Sequence, residues 1–303
     1  MATRWADVRK RPLSTKDEAS VHYVLSMSCP DTVGIVAAVS GFLSAHDAFI
    51  TESVHFGDEQ TAQFFMRTVF RSANGRMPDL TQLRSKFRDV AERFQMRWGI
   101  HPTAQRTRVL ILVSKFDHCL NDLLYRYRIG QLPIDVTAVV SNHPDLAPLV
   151  HWHNIPFHHL PVTPETKKAQ EAEIANLIET LNVELVVLAR YMQVLSPELC
   201  RYLDKHCINI HHSFLPSFKG AKPYQQAHDR GVKIIGATAH YVTENLDEGP
   251  IIEQAVERVG HSHSAESLMM IGRDIENVVL ARAVQWHVER RVFVNGKKTV
   301  VLR

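Results

Sequence analysis

Apolar and polar positions along the chain change rhythm near residue 106. Before it, Val21, Tyr23, Leu25 and Met27 alternate with His22, Val24 and Ser26, the period of two expected of a strand. Cys29 to Gly34 reads as a turn into a helix, on which Ile35, Val39, Phe42, Leu43 and His46 recur at helical spacing. Phe49 to Phe56 and Phe64 to Phe70 read as two strands joined by the polar loop Gly57 to Thr61. Leu80, Leu83, Phe87, Val90, Ala91 and Phe94 mark an amphipathic helix. Gln95 to Ile100 is the last strand. The order predicts βαββαβ, a ferredoxin-like antiparallel sheet with two helices on one face. Residues 1–20 are polar and mixed in charge and read as a loosely ordered tail. His101 to Arg106 reads as a Pro-containing linker.

Beyond the linker the alternation gives way to solid apolar runs. Val109 to Val113, Val136 to Val140 and Leu185 to Ala189 read as strands buried on both faces. Helices are expected over Asp117 to Ile129, Pro144 to His153, Pro164 to Leu181 and Ser264 to Arg290. Val292 to Val301 closes as a hairpin on Asn295-Gly296. Alternating β and α units of this kind predict an α/β, doubly wound, mostly parallel sheet. Two domains follow, 21–103 and 107–303.

Composition narrows the function classes. The chain of 303 residues has a formal charge of +3 and 22% charged residues. With no basic run carrying interleaved aromatics, nucleic acid is not an expected partner. No apolar stretch approaches the roughly 20 residues of a membrane span, and residues 1–20 lack the apolar core of a secretory signal. A cytoplasmic location is therefore expected. Cys29, Cys119, Cys200 and Cys207 are scattered and suggest neither disulfides nor a zinc knuckle. The His pairs 151/153, 158/159 and 261/263 come without HExxH or Cys/His spacing, and no metal is expected.

The chemistry concentrates between Cys207 and Gln254. Ile208 and Ile210 mark a short strand that delivers Asn209 and His211 to the same side. Asp247 returns in a turn closed by Gly249-Pro250. An amide, an imidazole and a carboxylate can activate water and hold an oxyanion. In open α/β sheets the ligand sits beyond the carboxyl ends of the strands, where the stretches after 113, after 189 and around 209–211 are expected to meet.

Two resemblances give this site a substrate. Cys29-Pro30-Asp31 and Gly34-Ile35-Val36 in the first unit resemble the ACT domain. That implies a small-molecule effector, often an amino acid, near Asp31, Gly34 and Ile35, and pairing into a dimer or tetramer. The family's Asp-Arg-Pro-Gly reads Asp31-Thr32-Val33-Gly34 here, and Phe49 stands where Gly or Asn is usual. From Val109 to Val301 the chain resembles the formyltransferase family that uses 10-formyltetrahydrofolate. The marks are Val187-Leu188-Ala189, Met192, Leu195-Ser196-Pro197, Asn209-Ile210-His211, Ser213, Leu215-Pro216, Gly236, His240, Val242-Thr243, Leu246-Asp247 and Gly249-Pro250. The resemblance implies that Asn209, His211 and Asp247 are catalytic. It also implies that Met192, Gln193, Val194, Leu195, His240, Val242, Thr243 and Leu246 hold the folate's pterin head.

The acceptor is read from a difference. The branch that formylates glycinamide ribonucleotide carries a Ser-Gly-x-Gly-Ser-Asn loop after its first strand, which lets backbone N–H groups approach a phosphate. Here the loop is Ser114-Lys115-Phe116-Asp117-His118-Cys119-Leu120, without Gly, and His212 stands where that branch has Pro. With the ACT-like unit ahead of it, the chain after residue 20 resembles the formyltetrahydrofolate deformylase family. The implied reaction is hydrolysis of 10-formyltetrahydrofolate to formate and tetrahydrofolate, supporting one-carbon balance and purine synthesis, with no cofactor. Lys115, His118 and His212 are expected to fill or polarise the acceptor space. Two alternatives stay open: a formyltransferase acting on an amine whose phosphate Lys115 and Lys222 would grip, and a non-catalytic folate- and amino-acid-binding regulator.

Overall fold

The computed structural model describes residues 21–215 and 223–303. The predicted tail 1–20 and Lys222 lie outside the described residues.

The first unit runs β1 (His22–Pro30), α1 (Ile35–Ala45), β2 (Ala48–Asp58), β3 (Gln63–Ser72), α2 (Leu80–Arg93) and β4 (Arg97–Pro102). Its four strands form an antiparallel sheet in the order β2-β3-β1-β4. Leu25, Met27, Phe64, Met66 and Phe70 pack with Ile35, Val39, Leu83 and Phe87 of the two helices. Residues 64–70 are buried without alternation because the second face is covered too. There Phe65 meets Phe293, ring centroids 5.6 Å apart. The sequence placed a linker at His101 to Arg106, but β4 runs on through Pro102, which pairs with Tyr23. An edge strand tolerates Pro because one side of its backbone has no neighbour. Ile35 is 2% exposed and belongs to the core rather than to a ligand-facing surface. Gly34 opens α1 with φ 98°, a left-handed conformation that suits glycine.

The second unit begins with β5 (Thr107–Val113), α3 (His118–Arg128), β6 (Ile134–Ser141), α4 (Ala147–Trp152), β7 (Phe157–His159), α5 (Lys167–Thr180) and β8 (Leu185–Leu188). It continues with α6 (Pro197–Tyr202), β9 (Cys207–His211), α7 (Pro223–Asp229), β10 (Ile234–Tyr241), β11 (Ile251–Arg258), α8 (Ala265–Val288) and the hairpin β12 (Val292–Asn295) to β13 (Lys298–Val301). The seven-stranded sheet has the order β11-β10-β9-β8-β5-β6-β7. Strands β9 to β7 are parallel, and β10 runs against both β9 and β11.

Successive residues of a strand face opposite sides, which explains the solid apolar runs. Val109, Ile111 and Val113 pack towards α3 and α8, while Leu110 and Leu112 pack towards α5 and α6. Helix α5 starts three residues later than expected, because Thr163 and Thr166 hydrogen-bond each other in a turn at 2.9 Å. The sequence reading missed β7, β10, β11 and the short helices α6 and α7. The four cysteines are free and buried. Among the described residues no helix is long and apolar enough to cross a membrane.

Candidate active site

The carboxyl ends of β8 and β9 open onto one cleft, and the stretch after Val113, expected to join them, is not in its lining. Its lining includes Met192, Gln193, Val194, Leu195, Asn209, His211, His212, His240, Val242, Thr243, Leu246 and Asp247. Residues predicted from three distant stretches therefore converge. Lys115 and His118 do not line it. His118 turns its Nε2 to Glu276 of α8 at 2.9 Å.

Backbone chemistry fixes the reacting groups. Strand β9 places Asn209 and His211 on one side, and its register with β10 sets His240 opposite Asn209. The His240 Nδ1–H donates to the Tyr241 carbonyl at 2.9 Å. This tautomer leaves Nε2 to accept from the Asn209 amide at 3.3 Å. His240 is 2% exposed. It acts on the cleft mainly by holding Asn209 and by facing Asp247 Oδ1 at 3.6 Å.

Asp247 is delivered by the turn after β10. Its φ is 57°, a left-handed conformation that Asp tolerates better than most residues. The turn closes where the Tyr241 N–H donates to the Pro250 carbonyl at 3.0 Å. A Cβ at Gly249 would collide with the Tyr241 carbonyl, so only glycine fits there. Asp247 Oδ2 lies 3.2 Å from His211 Nδ1. The hydrogen bond from His211 holds the Asp247 carboxyl well below the usual carboxylate range. Among the described residues the buried Nε2 of His211 has no hydrogen-bond partner. A buried polar atom left open in this way is the mark of a missing ligand.

The approach to these groups is apolar on one side. Met192, Val194 and Leu246 are 53%, 56% and 64% exposed, enough surface to cover a flat ring. The segment carrying Met192 is pinned by Ser114, whose Oγ accepts from the Met192 N–H at 3.0 Å and donates to Asn142 Oδ1 at 2.7 Å. The loop from Ser114 thus grips its own neighbour segment.

On the other side stand Arg190 and His212. Arg190, which the sequence reading passed over, lies with Nε 3.3 Å from Glu276 Oε2. His212 stacks on His211 with centroids 4.8 Å apart. Burial, then the nearby charges of Arg190 and His211, pushes its pKa down to about 4, so the ring is neutral at pH 7. Glu276 also escaped the sequence reading. The available signal was an acid on the buried stripe Leu268, Gly272, Glu276, Val279 and Ala283 of α8.

His118, Cys119 and Glu276 bring one ligand atom each within 4.8 Å of one another, but the donor set suits a cation poorly. The Glu276 carboxylate already serves His118, Arg190 and Tyr224. Burial, then the charge of Glu276, pushes the Cys119 thiol well up and keeps it protonated.

Comparison with known proteins bears on the family of the chain. The family model described as formyl transferase matches residues 107–284. A formyltetrahydrofolate deformylase of Corynebacterium sp. (strain P-1) is 53% identical over 93% of this chain and 99% of its own length. The crystal structure of formyltetrahydrofolate deformylase from Burkholderia mallei superposes with a TM-score of 0.90 at 55% identity, covering 93% of this chain and all of the other. A glycinamide ribonucleotide transformylase from Symbiobacterium toebii matches at a TM-score of 0.61 and 29% identity over 65% of this chain. Conserved length, identity and fold together place the chain in the formyltetrahydrofolate deformylase family.

Proposed function

We propose that the cleft hydrolyses 10-formyltetrahydrofolate to formate and tetrahydrofolate. The observation that carries this reading is the Asp247–His211 pair at 3.2 Å with the buried His211 Nε2 left open beside Asn209. Asp247, ionised, orients a water and takes its proton as the water oxygen bonds to the formyl carbon. The carbonyl electrons move to oxygen, where His211 Nε2–H and the second N–H of Asn209 donate to the oxyanion. One such donor is worth roughly 3 kcal/mol of barrier. Collapse of the tetrahedral carbon breaks the C–N10 bond, N10 receives the proton from Asp247, and the formic acid released gives its remaining proton to solvent and leaves as formate. The apolar side chains of Met192, Val194, Leu195, Val242 and Leu246, with the backbone around Gln193 and Thr243, hold the pterin head. No cofactor enters this scheme.

Water as the acceptor is supported by the Gly-free loop. Ser114 is committed to Met192 and Asn142, and Phe116 lies beneath Arg190 and Arg273, each guanidinium 5.6 Å from its ring. The first unit, residues 21–103, is read as an ACT domain on its βαββαβ order and its left-handed Gly34. Its effector, an amino acid, would lie near Asp31 and Gly34, and the protein would assemble as a dimer or tetramer in the cytoplasm. Residues 107–303 form the catalytic domain. The test is incubation with 10-formyltetrahydrofolate and no amine. Steady release of formate is expected; turnover that begins only on adding an amine would reject hydrolysis.

A further inference from the structure

Glu276 is a carboxylate in the middle of α8, 1% exposed. Burying a charge costs several kcal/mol unless it is fully partnered, and an apolar residue on this stripe would pack more cheaply. Three other parts of the fold supply its partners. His118 Nε2, at the start of α3, reaches Oε2 at 2.9 Å. The Tyr224 hydroxyl, from α7, donates to Oε1 at 3.0 Å. Arg190, just beyond β8, completes the set at 3.3 Å from Oε2. Burial pushes the Glu276 carboxyl up, but the His118 hydrogen bond and the charges of Arg190 and His118 outweigh it, and the group stays ionised.

Two local features show that the fold accommodates these contacts at a cost. Arg190 has φ 63°, and a left-handed conformation costs a non-glycine residue roughly 1–2 kcal/mol. Such strain persists where the side chain is needed. It is locked by the Ser114 N–H, which donates to the Arg190 carbonyl at 3.3 Å. On α8, a Cβ at Gly272 would occupy the place of the Tyr224 hydroxyl, so the helix is cut away one turn before Glu276 to let the phenol in. Burial, then the charge of Glu276, drives the Tyr224 phenol far up, so it remains a donor.

The cluster touches the cleft through Arg190 and His212, both in its lining. Tyr224 lies 3.5 Å from the His212 carbonyl, and His212 stacks on the reacting His211. We propose that Glu276 is a positioning residue that, through Arg190 and Tyr224, holds the acceptor side of the cleft closed, so that water rather than an amine reaches the formyl carbon. This rests on the hydrolytic reading above. Without the Glu276 charge, Arg190 loses its counter-ion and the wall formed with His212 loosens, admitting a small nucleophile.

The experiment measures product partition. Wild type, Glu276→Gln and Tyr224→Phe are each given 10-formyltetrahydrofolate with a fixed excess of glycinamide, and formate and formylglycinamide are quantified. Wild type is expected to yield formate with only a trace of formylglycinamide. In Glu276→Gln the ratio of formylglycinamide to formate is expected to rise about tenfold or more over wild type, the size of a single lost pocket contact. Tyr224→Phe, which removes one hydroxyl and spares the buried charge, should move the ratio the same way by a smaller factor, and it decides the matter if Glu276→Gln does not fold. A ratio unchanged in a folded variant overturns the inference while leaving hydrolysis standing. A wild type that formylates glycinamide and releases no formate overturns the hydrolytic reading itself, and the inference with it.

Discussion

Among the described residues, two of the regions that bury charged side chains end differently. At the seam between the first sheet and the C-terminal hairpin, every contact closes. Arg67 donates to Glu52 at 2.7 Å and to the Glu289 carbonyl at 2.9 Å, and Arg291 reaches the same Glu52 at 3.1 Å. Asn295 donates to Asp58 at 2.7 Å and Lys298 pairs with it at 2.8 Å. At the cleft the contacts do not close. The buried side-chain atoms without a hydrogen-bond partner among the described residues are His211 Nε2, His118 Nδ1, Asn277 Oδ1 and Arg190 Nε, the last held only by its ion pair with Glu276. They belong to the cleft, to the Glu276 cluster behind it, or to the residue after Glu276. Saturation is what a structural joint needs, because each open polar atom costs stability. Open valence gathered at and behind the cleft, among the described residues, fits a site that takes a ligand.

The sharpest way to break this contrast is to close the cleft artificially. Asp247→Asn keeps the shape of the side chain but can present an N–H to His211 Nδ1, which disfavours the working tautomer. Asn can neither take the water proton nor carry the charge that pairs with His211, so kcat should fall by about 10⁴, as when a carboxylate partner of a catalytic imidazole is replaced by its amide, with folate affinity nearly unchanged by calorimetry. The pH profile gives a second check. Because the folded Asp247 pKa is depressed, the carboxylate and the stability it contributes are fully present above its unfolded value near ~3.9 and are lost only as pH falls through the lower folded value. No acid limb belonging to Asp247 should therefore appear in kcat above about pH 4. A limb near pH 5 that disappears in the Asn variant would place the reacting carboxyl in an ordinary environment and contradict the pairing.

The seam supplies the intermediate effect. Arg67→Met removes two charge-assisted hydrogen bonds from a nearly buried side chain. The loss is expected to be about 2 kcal/mol of unfolding free energy, moderated because the Glu52 side chain is 38% exposed. Urea unfolding reads this directly, and kcat below the transition should stay within about twofold of wild type. A folded Arg67→Met protein with kcat reduced by orders of magnitude would mean that the seam is coupled to the chemistry and is more than a joint.

The same contrast explains what could be read from the chain alone. The solid runs at 109–113 and 185–189 announced strands covered on both faces, and the alternation before residue 30 announced the first sheet. Asn209 and His211 were legible as a pair because a strand sets them on one side, and Asp247 joined them through the resemblance to the formyltransferase family. Glu276 and Arg190 were not. Their roles arise only where α3, α7, α8 and the end of β8 meet, and no local period encodes that meeting. His118 was noticed for its place in the loop, but its partner lies on α8, 158 residues away. Pro102 misled for a physical reason as well: it reads as a breaker, yet an edge strand absorbs it. Strands β10 and β11 were overlooked because their polar inward residues, Thr238, His240 and Glu253, are buried and blur the alternation.

The smallest predicted effect tests the apolar side of the cleft. Leu246 is 64% exposed, beside the turn that carries Asp247, while Val256 on β11 is 47% exposed outside the cleft lining. In the free protein neither side chain buries much surface, so Leu246→Ala and Val256→Ala should each change unfolding free energy by no more than about 0.5 kcal/mol. They should differ once folate binds. If the pterin head covers Leu246, truncating it removes apolar contact worth about 1–1.5 kcal/mol, and KM should rise roughly five- to tenfold with kcat almost unchanged. Val256→Ala should leave both constants alone. The split matters more than its size, because uniform loss of ground-state and transition-state binding moves KM without kcat. A fall in kcat at constant KM for Leu246→Ala would show instead that the side chain sets the turn bearing Asp247, and would move Leu246 from the binding surface to the machinery that positions the carboxylate.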